Sequence, residues 1–332
     1  EEGREALEKL LATADVFICN WRQSPLKRAG LDWETLHEKY PKLVYGYVSG
    51  YGEKGPDKDL PGFDFTAFYA RGGILGPLRD KNSLPMLTVQ GFGDHQVAMN
   101  LAAGVLAALF KAKMTGEGDH VVVSLFHSAI WDISLMLQAS QYGADSTQYP
   151  MERWKLGNPL VLCYETADGQ WLQIAMPQYD RHYPILMNAM GYPELADDAR
   201  YYPQKNLIPN REEFSAWITA EFKKKTCDEW CKLLDANDLP YAIAQEWDSL
   251  LEDKQAWASD CFYEMSYSNG NKRTLVRPPV LFDQMGLPPY ERGPYLGEQT
   301  KDILGELGYS AEAIDELIKS GAAIDMDPAL RD

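Results

Sequence analysis

Apolar residues at Leu7, Leu10, Leu11 and Ala14 recur with helical spacing, and the short run Val16, Phe17, Ile18, Cys19 has the length of a buried strand. The pattern predicts a helix leading into a strand. Asp32 can cap a second helix running through His37, after which residues 43–49 read as another strand ending in a glycine-rich loop over 50–56. Strand, helix, strand implies a right-handed crossover and a parallel sheet. Val97, Leu101, Ala102, Val105, Leu106, Leu109 and Phe110 form one face of a long helix over 95–113, and Gly116 and Gly118 turn the chain into a third strand at 121–124. The fold class is therefore α/β, with a Rossmann-like large domain on a parallel sheet.

The pattern changes over residues 141–159, a polar stretch with two glycines and two prolines that suits a linker. Beyond it, apolar runs at 160–165 and 171–175 flank Thr166, Ala167, Asp168 and Gly169, a hairpin signal. Residues 210–234 read as mostly helical, and proline-bearing crossings at 276–280 and 286–289 precede short helices around 303–304 and 314–318. This divides the chain into a large domain over 1–150, a smaller α/β (α+β) domain with its linkers over 151–270, and a C-terminal segment over 271–332 that returns to the large domain.

Composition narrows the function. At 332 residues, 45% hydrophobic and 24% charged, the chain can bury a sizeable core, which excludes disorder and simple coiled coil. Its 32 Lys+Arg against 49 Asp+Glu give a net charge of -17, so no nucleic-acid or membrane partner is expected. An anionic ligand has to be held by a local cluster of cations. No uninterrupted apolar run reaches the roughly 18 residues of a membrane span and no secretory pattern opens the chain, so a cytoplasmic location is expected. The five cysteines are scattered and read as reduced thiols; Cys227 and Cys231 lack the partners a zinc site needs, so no metal is expected.

Asp94 follows Gly91, Phe92 and Gly93 and falls at or beside the N-cap of the long helix. The helix dipole and unpaired backbone N–H groups there favour a carboxylate, and the glycines keep its approach side clear. On this pattern alone a capping acid and a nucleophile look the same. Asp64, in the aromatic-rich segment 61–73, carries the same ambiguity. Arg22, Lys27 and Arg28 follow directly on the first strand, where α/β sheets bind ligands, although a solvated basic loop would look identical. His95 and His127 lie within apolar patterns and read as core histidines. Ser124 has no nucleophile elbow, and neither a dinucleotide fingerprint nor a P-loop is present.

Residues 14–20 and 26–30, Gly50, Tyr51 and Gly52, the segment 61–64, Gly93 and Asp94, and the segments 115–118, 168–171 and 294–300 together resemble the class III CoA-transferase family. That family includes formyl-CoA transferase, carnitine CoA-transferase and the α-methylacyl-CoA racemases. Segments 91–95 and 124–130 look most like its clostridial enzymes that move CoA between 2-hydroxy acids, such as 2-hydroxyisocaproate or phenyllactate, and their acyl-CoA partners. The resemblance implies that Asp94 is the catalytic aspartate, with Asp64 close to the reacting centre. Asn20, Trp21, Arg28, Ala29 and Phe63 would line the CoA site, in an interlocked homodimer. A CoA thioester and a small carboxylic acid would be substrates, with no permanently bound cofactor. The reaction implied runs through an aspartyl mixed anhydride and an aspartyl-CoA thioester, backbone N–H groups at the start of the long helix stabilising the oxyanions.

Two departures stand out. The family's first strand and helix units would precede Glu1, and the glycine-rich loop that covers the aspartate in formyl-CoA transferase has no counterpart, residues 155–159 being the only candidate. A racemase of this family carries a His just before the position of Asp64, where this chain has Phe63, which counts against racemisation. A catalytically silent CoA-binding subunit is the other alternative.

Overall fold

A computed structural model describes residues 2–86, 88–143, 149–267, 269–286 and 291–327. α1 (Glu2–Thr13) leads into β1 (Val16–Cys19), α2 (Gln23–Ala29) and α3 (Trp33–Lys39) return the chain to β2 (Val44–Ser49), and α4 (Phe92–Thr115) precedes β3 (His120–Ser124). The strands form one parallel sheet in the order β1-β2-β3, Val16 lying opposite Val44 and Tyr45 opposite His120. Asp32 caps α3 as expected, its Oδ1 accepting the Thr35 N–H at 3.3 Å.

Alternation along β2 sorts its side chains into two cores. Leu43, Tyr45 and Tyr47 join Leu11, Leu26 and Leu36 beneath α1 to α3, while Val44 meets Leu101, Val105, Ala108 and Ala112 of α4 on the opposite face. Gly46 makes the second contact close: a Cβ there would stand 3.2 Å from Val105 Cγ2 and 3.3 Å from Leu101 Cδ1. α4 is also long and apolar enough to cross a membrane by length and composition, a property that counting uninterrupted runs overlooks. Here it lies against the sheet.

α5 (Leu125–Asp132) and α6 (Ser134–Ala139) follow β3. The predicted hairpin forms from β4 (Cys163–Glu165) and β5 (Trp171–Ile174), its turn closed by the Thr166 N–H to the Gln170 carbonyl at 2.9 Å, and β6 (Tyr241–Ile243) adds antiparallel to β5. α7 (Tyr179–Met190), α8 (Gln204–Leu207), α9 (Arg211–Phe222) and α10 (Cys227–Ala236) bury a separate core with these strands, containing Tyr164, Leu172, Tyr183, Phe214 and Trp230. The helical stretch expected over 210–234 breaks where Thr226 caps α10 in a reciprocal box with Glu229.

After α11 (Trp247–Leu251) and α12 (Lys254–Ala258), β7 (Phe262–Ser266) and β8 (Lys272–Val276) pair antiparallel. The sequence pattern did not predict this hairpin, since β8 is mostly exposed and charged at its start; the division drawn at 270 falls inside it. α13 (Thr300–Glu306) and α14 (Ala311–Ser320) share a small core against Ala6 of α1, and Ser320 Oγ donates to Glu2 Oε2 at 3.1 Å. Parts of the expected linker (144–148) and of the second proline crossing (287–289), and the terminus at 328–332, lie outside the described residues.

Candidate active site

Ligands of open α/β sheets bind beyond the carboxyl ends of the strands. β1 ends at Cys19 and opens into Asn20 and Trp21, and β2 ends at Ser49 and opens into Gly50. Between them and the start of α4 lies a cavity of about 740 Å³, walled in part by Asn20, Trp21, Phe63, Asp64 and Asp94. One backbone contact builds this wall. A Cβ on Gly50 would stand 2.6 Å from the Cα of Gly62, and one on Gly62 would stand 2.4 Å from the Cα of Gly50. Only two glycines allow so close an approach, and it presses residues 61–64 against the end of β2.

Asp64 opens a π-helical turn, Asp64–Ala70, anchored by the buried Ala67, Phe68 and Tyr69. Its own side chain is buried too. Oδ2 accepts the Gly91 N–H at 2.8 Å and Oδ1 accepts the Gly93 N–H at 3.0 Å. Burial pushes the Asp64 pKa up; the Gly91 and Gly93 N–H groups oppose that rise, and the negative charge of Asp94 adds to it. A Cβ on Gly93 would stand 2.3 Å from Phe68 Cγ and 2.4 Å from Asp64 Oδ1. The missing side chain of Gly93 thus serves the contact between α4 and the π-turn, not the approach to Asp94 that the sequence suggested.

Asp94 is the third residue of α4, not its cap. The N-cap is Gly91, in the left-handed conformation at φ 81. Asp94 is exposed, lines the cavity and accepts no hydrogen bond among the described residues. The N–H groups of Gly91 and Gly93 are already taken by Asp64, so these two are not free to stabilise an oxyanion. His95 and His127 are exposed instead of buried in a core: His95 Nδ1 lies 2.7 Å from the Gly91 carbonyl, and the His127 backbone N–H donates to Ser124 Oγ at 3.2 Å, capping α5.

Of the residues expected along CoA, Asn20, Trp21 and Phe63 share the cavity wall with Asp64 and Asp94. Arg28 and Ala29 stand on α2, outside that wall: Arg28 Nη1 donates to Ser24 Oγ at 2.7 Å, and the Ala29 carbonyl accepts from the Arg4 guanidinium. Arg22, Lys27 and Arg28 are exposed and form no ion pair among the described residues. Sequence reading missed the cavity floor, made by Val48, Leu101 and Leu125, and the Gly50–Gly62 contact. Its one signal was the glycines beside the two aspartates, Gly62 before Asp64 and Gly91 and Gly93 before Asp94.

The family model described as CoA-transferase family III matches residues 1–300. The chain is 48% identical over 320 residues to the cinnamoyl-CoA:phenyllactate CoA-transferase of Clostridium sporogenes, covering 96% of this chain and 78% of that one. It is 39% identical over 315 residues to the (R)-2-hydroxy-4-methylpentanoate CoA-transferase of Clostridioides difficile, covering 95% and 78%. Among solved structures it resembles a CAIB/BAIF family protein from Brucella suis with a TM-score of 0.77 at 25% identity, covering 92% of this chain and 79% of that one.

Proposed function

The chain belongs to CoA-transferase family III, and from that premise we propose that it moves coenzyme A from an acyl-CoA to a 2-hydroxy acid through a covalent intermediate on Asp94. The substrate class is drawn from the two clostridial relatives, whose phenyllactate and 2-hydroxy-4-methylpentanoate are both 2-hydroxy acids with a bulky apolar side chain. The observation that carries the reading is Asp94 itself, an exposed acid with no hydrogen bond among the described residues, in the wall of a cavity at the ends of β1 and β2.

An Asp94 oxygen attacks the thioester carbonyl, the C–S bond breaks, and CoA leaves as thiolate from an aspartyl mixed anhydride. The thiolate then attacks the Asp94 carbonyl carbon and releases the donor acid, leaving an aspartyl-CoA thioester. The incoming carboxylate attacks the Asp94 carbonyl carbon of that thioester, the C–S bond breaks to release CoA thiolate again, and a second mixed anhydride forms. Return of the thiolate to the new acyl carbonyl gives the product and frees Asp94. Asn20, Trp21, Ala29 and Phe63 hold CoA in this reading, and Arg28, exposed and without an ion pair among the described residues, meets its phosphates. Water must be excluded while the anhydride exists.

Racemisation needs a second base beside the aspartates, and Phe63 occupies the position before Asp64. The same reading makes the protein a cytoplasmic homodimer, divided at about residues 150 and 270, with CoA thioester as a substrate and no resident cofactor. An apolar strip supports the dimer: Leu106, Phe110 and Met114 of α4 are 66%, 72% and 74% exposed.

Hydroxylamine added during turnover tests the nucleophile, since it converts an activated aspartate to a hydroxamate seen as a mass change in the Asp94 peptide. Asp94→Ala is expected to fold and to lose both label and transfer. A label on Asp64 would reassign the nucleophile. Isotope exchange between acyl-CoA and free acid separates a transferase from a racemase or a silent CoA-binding subunit, because only the transferase moves CoA between two acids.

A further inference from the structure

Both carboxylate oxygens of the buried Asp64 are engaged by the backbone that carries Asp94. We infer that Asp64 is a positioning residue: it fixes residues 91–93 and so aims the Asp94 carboxylate into the cavity, without itself bonding to the acyl group. This rests on the reading of Asp94 as the nucleophile.

Three features make the grip rigid. The two bonds bracket Phe92 at the point where the chain turns into α4 through the left-handed Gly91, and Asp64 is only 5% exposed, which leaves its oxygens little room for substrate. Tyr69, from the same π-turn, donates its hydroxyl to the Val89 carbonyl at 3.2 Å and ties the incoming chain at a second point. Gly93 allows no slack, because any Cβ there would meet Phe68 and Asp64. The π-turn is itself anchored, Phe68 being fully buried and Tyr69 nearly so. A continuous set of contacts therefore runs from the core through Asp64 to the first turn of α4, and displacements near 1 Å at a reacting group cost about 100-fold in rate.

Asp64→Asn keeps the shape but presents an amide NH2 to one of the two N–H donors. Donor would face donor, one bond would be lost, and the first turn of α4 would loosen. In the full chain, Asp64→Asn is expected to lower kcat about 100-fold with KM for acyl-CoA changed less than about twofold, and to slow hydroxylamine labelling of Asp94 in parallel. Tyr69→Phe is expected to do the same more weakly. An unchanged kcat in Asp64→Asn would overturn the proposal, as would a raised KM for acyl-CoA with kcat intact, which would mean that Asp64 binds substrate. Failure of the nucleophile reading is a separate result: wild-type protein would then carry no label on Asp94. If Asp64→Asn does not fold, amide exchange in wild-type protein labelled with ¹⁵N-glycine decides. Slow exchange at Gly91 and Gly93 is expected, and exchange as fast as at the exposed Gly55 would overturn the assignment.

Discussion

Burial and the nearby Asp94 both make the ionised form of Asp64 costly, while the backbone N–H groups of Gly91 and Gly93 favour it, and the balance raises its pKa above 3.8. Tyr69, the other titratable group facing it, has its own pKa raised by burial and by the Asp64 charge. The sign follows from linkage: the folded state holds the Asp64 proton more tightly than the unfolded chain, so this group's stabilising contribution is fully present below its unfolded pKa and is lost as pH rises through the folded one. The ionised form of Asp64 nonetheless accepts the two N–H groups more strongly than the neutral acid. Wild-type protein is therefore expected to gain stability relative to Asp64→Asn on acidification toward pH 3.8 while its kcat falls, measured as paired melting and turnover profiles. Arg28 obeys a different rule, since it is exposed and would act through charge-assisted bonds of roughly 1.5–3 kcal/mol. Arg28→Ala is expected to raise the acyl-CoA dissociation constant about 10- to 100-fold in a direct titration, and an unchanged constant would remove α2 from the CoA site.

Elements meet at the cavity through glycine. At Gly62 the atom a new Cβ would strike, at 2.4 Å, is the Cα of Gly50, which no rotamer change can move. Gly62→Ala should thus separate the end of β2 from the π-turn, costing about 1–3 kcal/mol in denaturant unfolding and lowering kcat as Phe63 and Asp64 shift. Thr226→Ala offers a contrast in the other core, because it removes the cap of α10 far along the chain from the cavity wall. A loss of about 1 kcal/mol with unchanged turnover is expected there.

Across the whole molecule, a charge of -17 opposes association, yet α4, α5 and α6 each leave large apolar side chains on the surface, Leu106 and Phe110, Trp131, and Leu135 respectively. Burial of that surface in a second copy would offset the repulsion. Light scattering is expected to give twice the chain mass of 37.5 kDa, and the paired substitutions Leu106→Lys and Phe110→Glu to shift it toward a single chain. A single-chain mass for the unaltered protein would end the homodimer reading.

The run Val16 to Cys19, the strand around Tyr45 and the helix α4 were legible because strand and helix periods are local properties of the chain, and with them came the parallel sheet and the motif order that marks the family, although Leu106 and Phe110, read onto one face with Val97 and Leu101, are exposed. Asp94 could be placed at the start of that helix for the same reason, but the pattern left it indistinguishable from a capping acid, and only the family resemblance singled it out. The hold of Asp64 on Gly91 and Gly93 could not be read, because these partners are 27 and 29 residues away and a backbone N–H carries no signature in sequence. Nor could β7 and β8, whose exposed residues gain their strand conformation from pairing with each other. Nor does the sequence tell that Arg28, two turns after Asn20 and Trp21 on α2, stands outside the cavity wall that those two residues line. Local periodicity determines which segments become helix and strand; which side chain faces the cavity and which holds the backbone depends on close approaches, such as Gly50 to Gly62, that exist only once distant segments are packed.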